Sequence, residues 1–305
     1  MIDIRRILCP VDFSDSSQHA LRYAVAIAQW YDATVTMFHA CVPVPMSAYA
    51  TVASMMPALP VGGENDKGVR DAMKNLASSV EGTSVPLDIA LGEGYPAAAI
   101  AEKAAEAKCD LIVIGTHGRS GFERLMLGSV TEKVLRKARC PVLTVPPKAG
   151  EPTAAAPVTF KRIVCAIDFS DCSMRALEYA MSLAQESNAA LIVLHVIEPL
   201  PLRAAEGDSF SELKLVKDYV AAAEEEGRAL LAAAIPADVH TYCQVETVQT
   251  VGKPSHEILR LAATEASDLI ILGVHGRNPV DLLFFGSTAQ HVVREAACPV
   301  LTIRT

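Results

Sequence analysis

Three glycines and a serine recur in this chain at one spacing. Gly115-Thr-His-Gly118 is followed nine residues later by Gly128-Ser129, and Gly273-Val-His-Gly276 by Gly286-Ser287. The first glycine of each set ends an apolar, strand-like run, and the last glycine and serine open a helical stretch. Glycine lets the backbone take positive φ and approach a ligand closely. A helix N-terminus offers unpaired N–H groups and a partial positive charge, which suits phosphate. The hydroxyl of Ser129 or Ser287 could add to a terminal phosphate. A ligand-free reading competes, because Ser129-x-x-Glu132 and Ser287-x-x-Gln290 both fit a capping box. The extra glycines one strand away, arranged alike twice, favour the phosphate cradle, and the two roles can coexist.

Asp12 and Asp168 supply the complementary chemistry. Each ends the first strand of its repeat, in Val-Asp-Phe-Ser and Ile-Asp-Phe-Ser. Open α/β sheets bind ligands beyond the C-terminal strand ends, where strand order reverses. There Asp12 could accept a hydrogen bond from a ribose hydroxyl or coordinate a magnesium ion. Its alternative role, capping the next helix, is better served by Ser14 or Asp15, as it is by Ser170 or Asp171 in the second copy. His39 and His195 end second strands and read as half-buried, satisfied imidazoles. His117 and His275 divide evenly between facing a ligand and stabilising their loop. Arg119 and Arg277 either meet phosphates or lie on the surface. No Walker A sequence, no G-x-G-x-x-G after the first strand and no G-x-S-x-G elbow is present. Neither the cationic finger nor the base of a fast phosphoryl-transfer enzyme is assembled.

The elements that must position these residues are duplicated. RRILCPVDFSDSSQHALRYAVAIAQ from Arg5 returns from Lys161, displaced by 156 residues, and CDLIVIGTHGRSGFERLMLGS from Cys109 returns from Ser267, displaced by 158. The spacing predicts two domains, 1–147 and 159–305, with a Pro- and Ala-rich linker over 148–158. In the first, strands are expected at Ile7–Val11, Thr34–His39, Leu87–Ala90, Leu111–Ile114 and Val142–Val145. Helices are expected from Ser16 to about Tyr31, from Pro96 to about Lys108, and over Ser129–Ala138. Apolar strands alternating with helices imply a parallel, doubly wound α/β sheet in each domain. Pro43–Asn65 is the longest irregular stretch; Glu198–Phe210 is its shorter counterpart and precedes a charged helix.

Bulk properties narrow the classes. At 305 residues, 51% hydrophobic and 20% charged, the chain has a globular composition, and its net charge of −8 argues against a nucleic-acid partner. No stretch approaches the roughly 18 apolar residues of a membrane span. No signal-peptide pattern opens the chain, so a cytoplasmic location is the expectation. Eight cysteines without a C-x-x-C pair read as buried free thiols.

Gly115, Gly118, Gly128 and Ser129, with Gly273, Gly276, Gly286 and Ser287, resemble the G-x2-G-x9-G-[S/T] ATP signature of the universal stress protein family. Val-Asp-Phe-Ser and the closing Cys-Pro-Val-Leu-Thr-Val are similar to it as well, and the likeness covers nearly the whole chain, as in tandem members. The resemblance implies two five-stranded parallel sheets of order 3-2-1-4-5, adenine nucleotide alpha hydrolase-like, packed through their last strands as an intrachain pseudo-dimer; remaining edges could support a homodimer. It also implies adenine between the first two strand ends, at Pro10, Asp12 and Ala40. Phosphates would lie along Gly115, Thr116, His117, Gly118, Arg119, Ser120 and Gly121 and at Ser129, Val130 and Thr131. The second site would use Asp168, Val196, Gly273, His275, Gly276, Arg277, Gly286, Ser287 and Thr288. Ala166 in place of proline and Asn278-Pro279 in place of Ser120-Gly121 depart from the pattern. Pro279 removes an N–H from the turn, so the first site ranks above the second. The leading expectation is an ATP-binding regulatory module of the stress response. A slow ATPase or nucleotidyl-transferring enzyme is the second class, and a carrier of another small ligand the third.

Overall fold

Unbroken apolar runs become strands buried on both faces. In the computed structural model, β1 (Arg6–Pro10) has one exposed residue followed by four buried ones, and β4 (Leu111–Gly115) and β5 (Val142–Val145) are buried throughout. β2 (Thr34–Cys41) and β3 (Leu87–Glu93) are more open. These strands pair in parallel in the order β3-β2-β1-β4-β5. The second copy repeats the pattern with β6 (Arg162–Ile167), β7 (Ala190–Ile197), β8 (Val245–Val251), β9 (Leu269–Gly273) and β10 (Val300–Ile303). Its parallel order is β8-β7-β6-β9-β10. Two doubly wound α/β units result, built on Asp3–Val158 and Thr159–Thr305.

The residues described are 2–42, 64–80, 84–118, 127–147, 158–199, 209–274 and 285–304. Arg119, Ser120, Gly121, His275, Gly276, Arg277, Asn278 and Pro279 therefore lie outside them, as do residues 43–63 of the irregular stretch Pro43–Asn65 and 148–157 of the linker 148–158. Among the described residues no helix is long and apolar enough to cross a membrane.

The helices of the first unit are α1 (Asp15–Tyr31), α2 (Glu64–Ser78), α3 (Pro96–Glu106) and α4 (Ser129–Lys137). Those of the second are α5 (Asp171–Ser187), α6 (Ser209–Ala234), α7 (Pro254–Thr264) and α8 (Ser287–Glu295). α1 buries Ala20, Tyr23, Ala24, Ile27 and Ala28 on the face that the sequence periodicity marks. Ser14 caps its start by accepting from Ser17 N, and Asp32 ends it in the left-handed region at φ 52°. Ser170 and Asn188 do the same for α5. Glu64 and Asn65, expected in the irregular stretch, belong to α2, and Ser209 and Phe210 to α6. The apolar period of α2 shows only later, at the buried Met73 and Leu76, so its polar first turn reads as loop.

At the N-terminal ends of the strands, Asp110 Oδ2 accepts from Arg5 N and Arg6 N, both at 2.9 Å. Asp268 repeats this on Lys161 N and Arg162 N, at 2.8 and 3.0 Å. A carboxylate thus locks the entry of the first strand to that of the fourth, and their exits come out side by side.

The exit of β4 is where α1 comes closest to the sheet. A Cβ on Gly115 would lie 2.9 Å from Ser16 O, and one on Gly273 would lie 3.0 Å from the Cys172 carbonyl carbon and Ser173 N. Backbone cannot retreat as a side-chain tip can. Gly115→Ala should lower the unfolding free energy by roughly 1–3 kcal/mol, the usual penalty of overpacking. Gly68→Ala, in α2 with nothing within 4 Å of the new methyl, should raise it by about 0.5–1 kcal/mol. Urea midpoints of the two variants decide; equal midpoints would discard the close-approach account.

Candidate functional site

Beyond β1 the chain turns into α1 through Asp12, Phe13 and Ser14. Asp12 Oδ1 accepts from Ser14 N at 3.1 Å and from Ser14 Oγ at 2.5 Å. Asp168 makes the same pair with Ser170, at 3.1 and 2.6 Å. Phe13 and Phe169 stand in the left-handed region, at φ 66° and 63°, which is rare for so bulky a side chain. Each ring packs on the histidine near the end of the next strand: Phe13 on His39 with centroids 4.8 Å apart, Phe169 on His195 at 4.6 Å. His39 Nδ1 donates to Val11 O at 2.7 Å and His195 Nδ1 to Ile167 O at 3.0 Å. The expected satisfied imidazoles are thus tied to the carbonyl just before the aspartate.

Opposite this turn lies the N-terminus of α4. The capping box is not formed. The N-cap is Gly128, no side chain caps the helix, and Glu132 turns instead to Arg136 at 2.7 Å. Gly286 leads α8 in the same way. Gly128 N donates to Thr116 O at 2.7 Å and Gly286 N to Val274 O at 3.0 Å. These bonds place each helix start directly beyond the fourth strand, and the N–H groups of its first turn have no intrahelical acceptor.

The glycines do different work from that expected of them. Among the described glycines only Gly94 has a positive φ, so Gly115, Gly118, Gly128, Gly273 and Gly286 serve close approach alone. Gly115 and Gly273 admit the preceding helix. A Cβ on Gly128 would meet Thr116 O at 3.0 Å, and one on Gly286 would collide with Val274 O. Gly118 is the one aimed at the ligand side: its Cβ would fall 2.8 Å from Asp12 Oδ2.

Two cavities result. The first, about 360 Å³, is lined by Pro10, Asp12, Ala40, Gly115, His117, Gly118, Gly128, Ser129, Val130 and Thr131, with His39 and Ile100. Thr116, expected with them, is buried and does not line the cavity; its hydroxyl contacts His117 Nδ1 at 2.9 Å and Val145 O at 3.4 Å. Thr131 lines it but donates its hydroxyl to Gly115 O at 2.7 Å. Burial lowers the pKa of His117, and its Nε2 has no partner among the described residues. The second cavity, about 730 Å³, is lined by Asp168, Val196, Gly273, Gly286, Ser287 and Thr288, and by Tyr219, Ala223, Glu226 and Gly227 of α6. Both volumes lie in the usual range of small-molecule sites, about 300–1,000 Å³. The left-handed phenylalanines and the α6 wall escaped sequence reasoning. The only trace of the former is that Asp-Phe-Ser is spelled identically in both copies.

Among the described residues no three His, Cys, Asp or Glu side chains gather to hold a metal. All eight cysteines are unbridged. Burial raises the Cys9, Cys140 and Cys298 thiols to about 12 and Cys109 to about 11, and raises Cys165 further. Such thiols are poor nucleophiles.

The fold is thus a duplicated, doubly wound α/β unit with a glycine-led helix start facing a strand-end carboxylate. The sequence pattern of the Universal stress protein family matches residues 3–146 and again 159–304, and the chain belongs to that family. Universal stress protein MJ0531 of Methanocaldococcus jannaschii is 36% identical over 149 residues, 46% of this chain and 81% of that protein. A universal stress protein of Mycolicibacterium smegmatis is 27% identical over 308 residues, 98% of this chain and 96% of its own. The crystal structure of a universal stress protein from Archaeoglobus fulgidus superposes with a TM-score of 0.63 at 21% identity, covering 98% and 96% of the two chains.

The thiol environments have a direct readout. At pH 8 a disulfide exchange reagent should titrate fewer thiols in the native chain than the eight of the sequence, because groups with pKa values near 12 are almost wholly protonated there. Cys9 and Cys165, both 0% exposed, should react only as fast as the chain unfolds. Rapid labelling of either would contradict their burial.

Proposed function

We propose that each domain is an adenine-nucleotide module that holds ATP, and that the protein acts by presenting nucleotide-dependent surfaces to partners in the stress response. The observation that carries this reading is the uncapped, glycine-led helix start facing an aspartate across a ligand-sized cavity, built twice. In the first domain the adenine would lie between the exits of β1 and β2, against Pro10 and the main chain at Ala40. Asp12 would receive the ribose hydroxyls. The phosphates would run past Gly118 to Ser129 and the N–H groups of Val130 and Thr131 at the start of α4. Asp168, Val196, Ser287 and Thr288 would serve the second site likewise.

Magnesium, if it accompanies the phosphates, would be held mainly by their oxygens and water. Asp12 is the carboxylate among the described residues lining the first cavity, and its Oδ1 already accepts twice from Ser14. Supporting the whole reading, membership in the family agrees with a nucleotide site of this design.

Native mass spectrometry of the untreated protein should find ATP bound, two per chain if both sites are filled. Gly118→Val should empty the first site without unfolding the domain, because its branched side chain would enter the space beside Asp12 Oδ2. If no nucleotide copurifies and calorimetry detects no ATP binding, the reading is wrong. Turnover above ~1 s⁻¹ would instead make the protein an enzyme.

A further inference from the structure

The peptide that carries Asp12 is held from both sides. Its carbonyl, on Val11, receives the proton of His39 Nδ1 at 2.7 Å; a carbonyl only accepts, so Nδ1 bears the hydrogen. Its N–H, on Asp12, meets Ser17 Oγ at 3.4 Å. The second copy repeats this with His195 on Ile167 O at 3.0 Å and Asp168 N on Ser173 Oγ at 3.2 Å. The imidazole also backs the left-handed Phe13 or Phe169, with ring planes 41° and 46° apart. Around the cavities the two copies differ: where the first has Val130 and Thr131 the second has Thr288 and Ala289, and α6 lines the second. The clamp is among the parts that recur in both copies.

We propose that His39 and His195 are positioning residues for the ligand-facing aspartates. Acting through the Val11 and Ile167 carbonyls, each fixes the peptide that aims the Asp12 or Asp168 carboxylate across the cavity, and each supports the phenylalanine that makes the following reversal. The inference rests on the nucleotide reading of the site.

Asparagine and leucine test it, being nearly equal in shape and differing in the donor. The Asn carboxamide nitrogen stands where imidazole Nδ1 stands, one bond beyond Cγ. His39→Asn with His195→Asn should hold ATP nearly as tightly as the unaltered chain. His39→Leu with His195→Leu should weaken ATP by about tenfold, the effect of losing one well-placed hydrogen bond, with both proteins folded by circular dichroism and urea titration. Leucine variants that bind like the unaltered chain would overturn the inference alone; an unaltered chain that binds no ATP would overturn the site reading and the inference with it. Nitrogen NMR of the unaltered chain gives a readout that needs neither variant to fold. Both imidazoles should show a slowly exchanging Nδ1–H, and a neutral Nε2–H tautomer at either would refute the clamp.

Discussion

Between β1 and α1 the chain must reverse within the four residues Val11–Ser14 and still leave a carboxylate at the sheet's C-terminal edge. The fold meets that demand with a left-handed phenylalanine, a conformation that destabilises a bulky residue by roughly 1–3 kcal/mol. The Ser14 cap on Ser17 N stabilises by about 1 kcal/mol, and the aromatic contact with His39 by about 0.5–1.5 kcal/mol. These terms are of the size needed to offset the strain. Once the reversal is set, α1 is delivered onto the exit of β4, where only glycine at 115 leaves room for the Ser16 carbonyl. That contact in turn fixes where Thr116 presents the carbonyl that receives Gly128 N. Helix α4 therefore starts where it does because of a turn on another strand.

The same frame tolerates different walls. In the second copy Gln249, on β8, reaches into α6: its amide nitrogen donates to Glu224 O and its oxygen accepts from Arg228 N, both at 3.2 Å. Gly227 lies between those two residues, and a Cβ there would strike the Gln249 amide and come within 3.1 Å of His195 Cδ2. Side-chain insertion of this kind pins a helix at one point, here against the strand bearing His195. The matching positions in the first copy, displaced by 158 residues, are Val69 and Leu91, which cannot form such a clip. The first copy differs also at the start of α4, where Thr131 donates to Gly115 O and the second copy has Ala289. Duplicated domains thus share the strand-end geometry and diverge in what closes over it.

Much of this was legible in the sequence because it is periodic or repeated. Val142–Val145 and the buried face of α1 follow from apolar runs and helical spacing, whereas the strand order comes from the family resemblance. Strand ends at Cys41 and Glu93 run past the expected His39 and Ala90 because ladder pairing between β2 and β3, His39 to Leu91 and Cys41 to Glu93, continues after the apolar pattern stops. The glycines misled for a related reason. Sequence shows that a side chain is absent but not whether a left-handed φ or a close neighbour excludes it, and here neighbours decide. The converse failure is Phe13: nothing in a phenylalanine announces positive φ, since the support comes from a histidine on another strand.

The chemistry of the site follows from which groups are already committed. The His39 and His195 protons are given to carbonyls, Thr131 donates its hydroxyl to Gly115 O, and Asp12 Oδ1 accepts from Ser14. Burial lowers the His117 pKa by penalising its charged form, which disfavours a positive charge there. Among the described residues, the other groups lining the first cavity include the backbone at the start of α4 and the Ser129 hydroxyl. On the nucleotide reading proposed above, such groups would stabilise a polyphosphate in its ground state about as well as in a transition state, and uniform binding of that kind lowers a dissociation constant without raising a rate. Such a site would hold a nucleotide and let its occupancy act on the surfaces around the cavity.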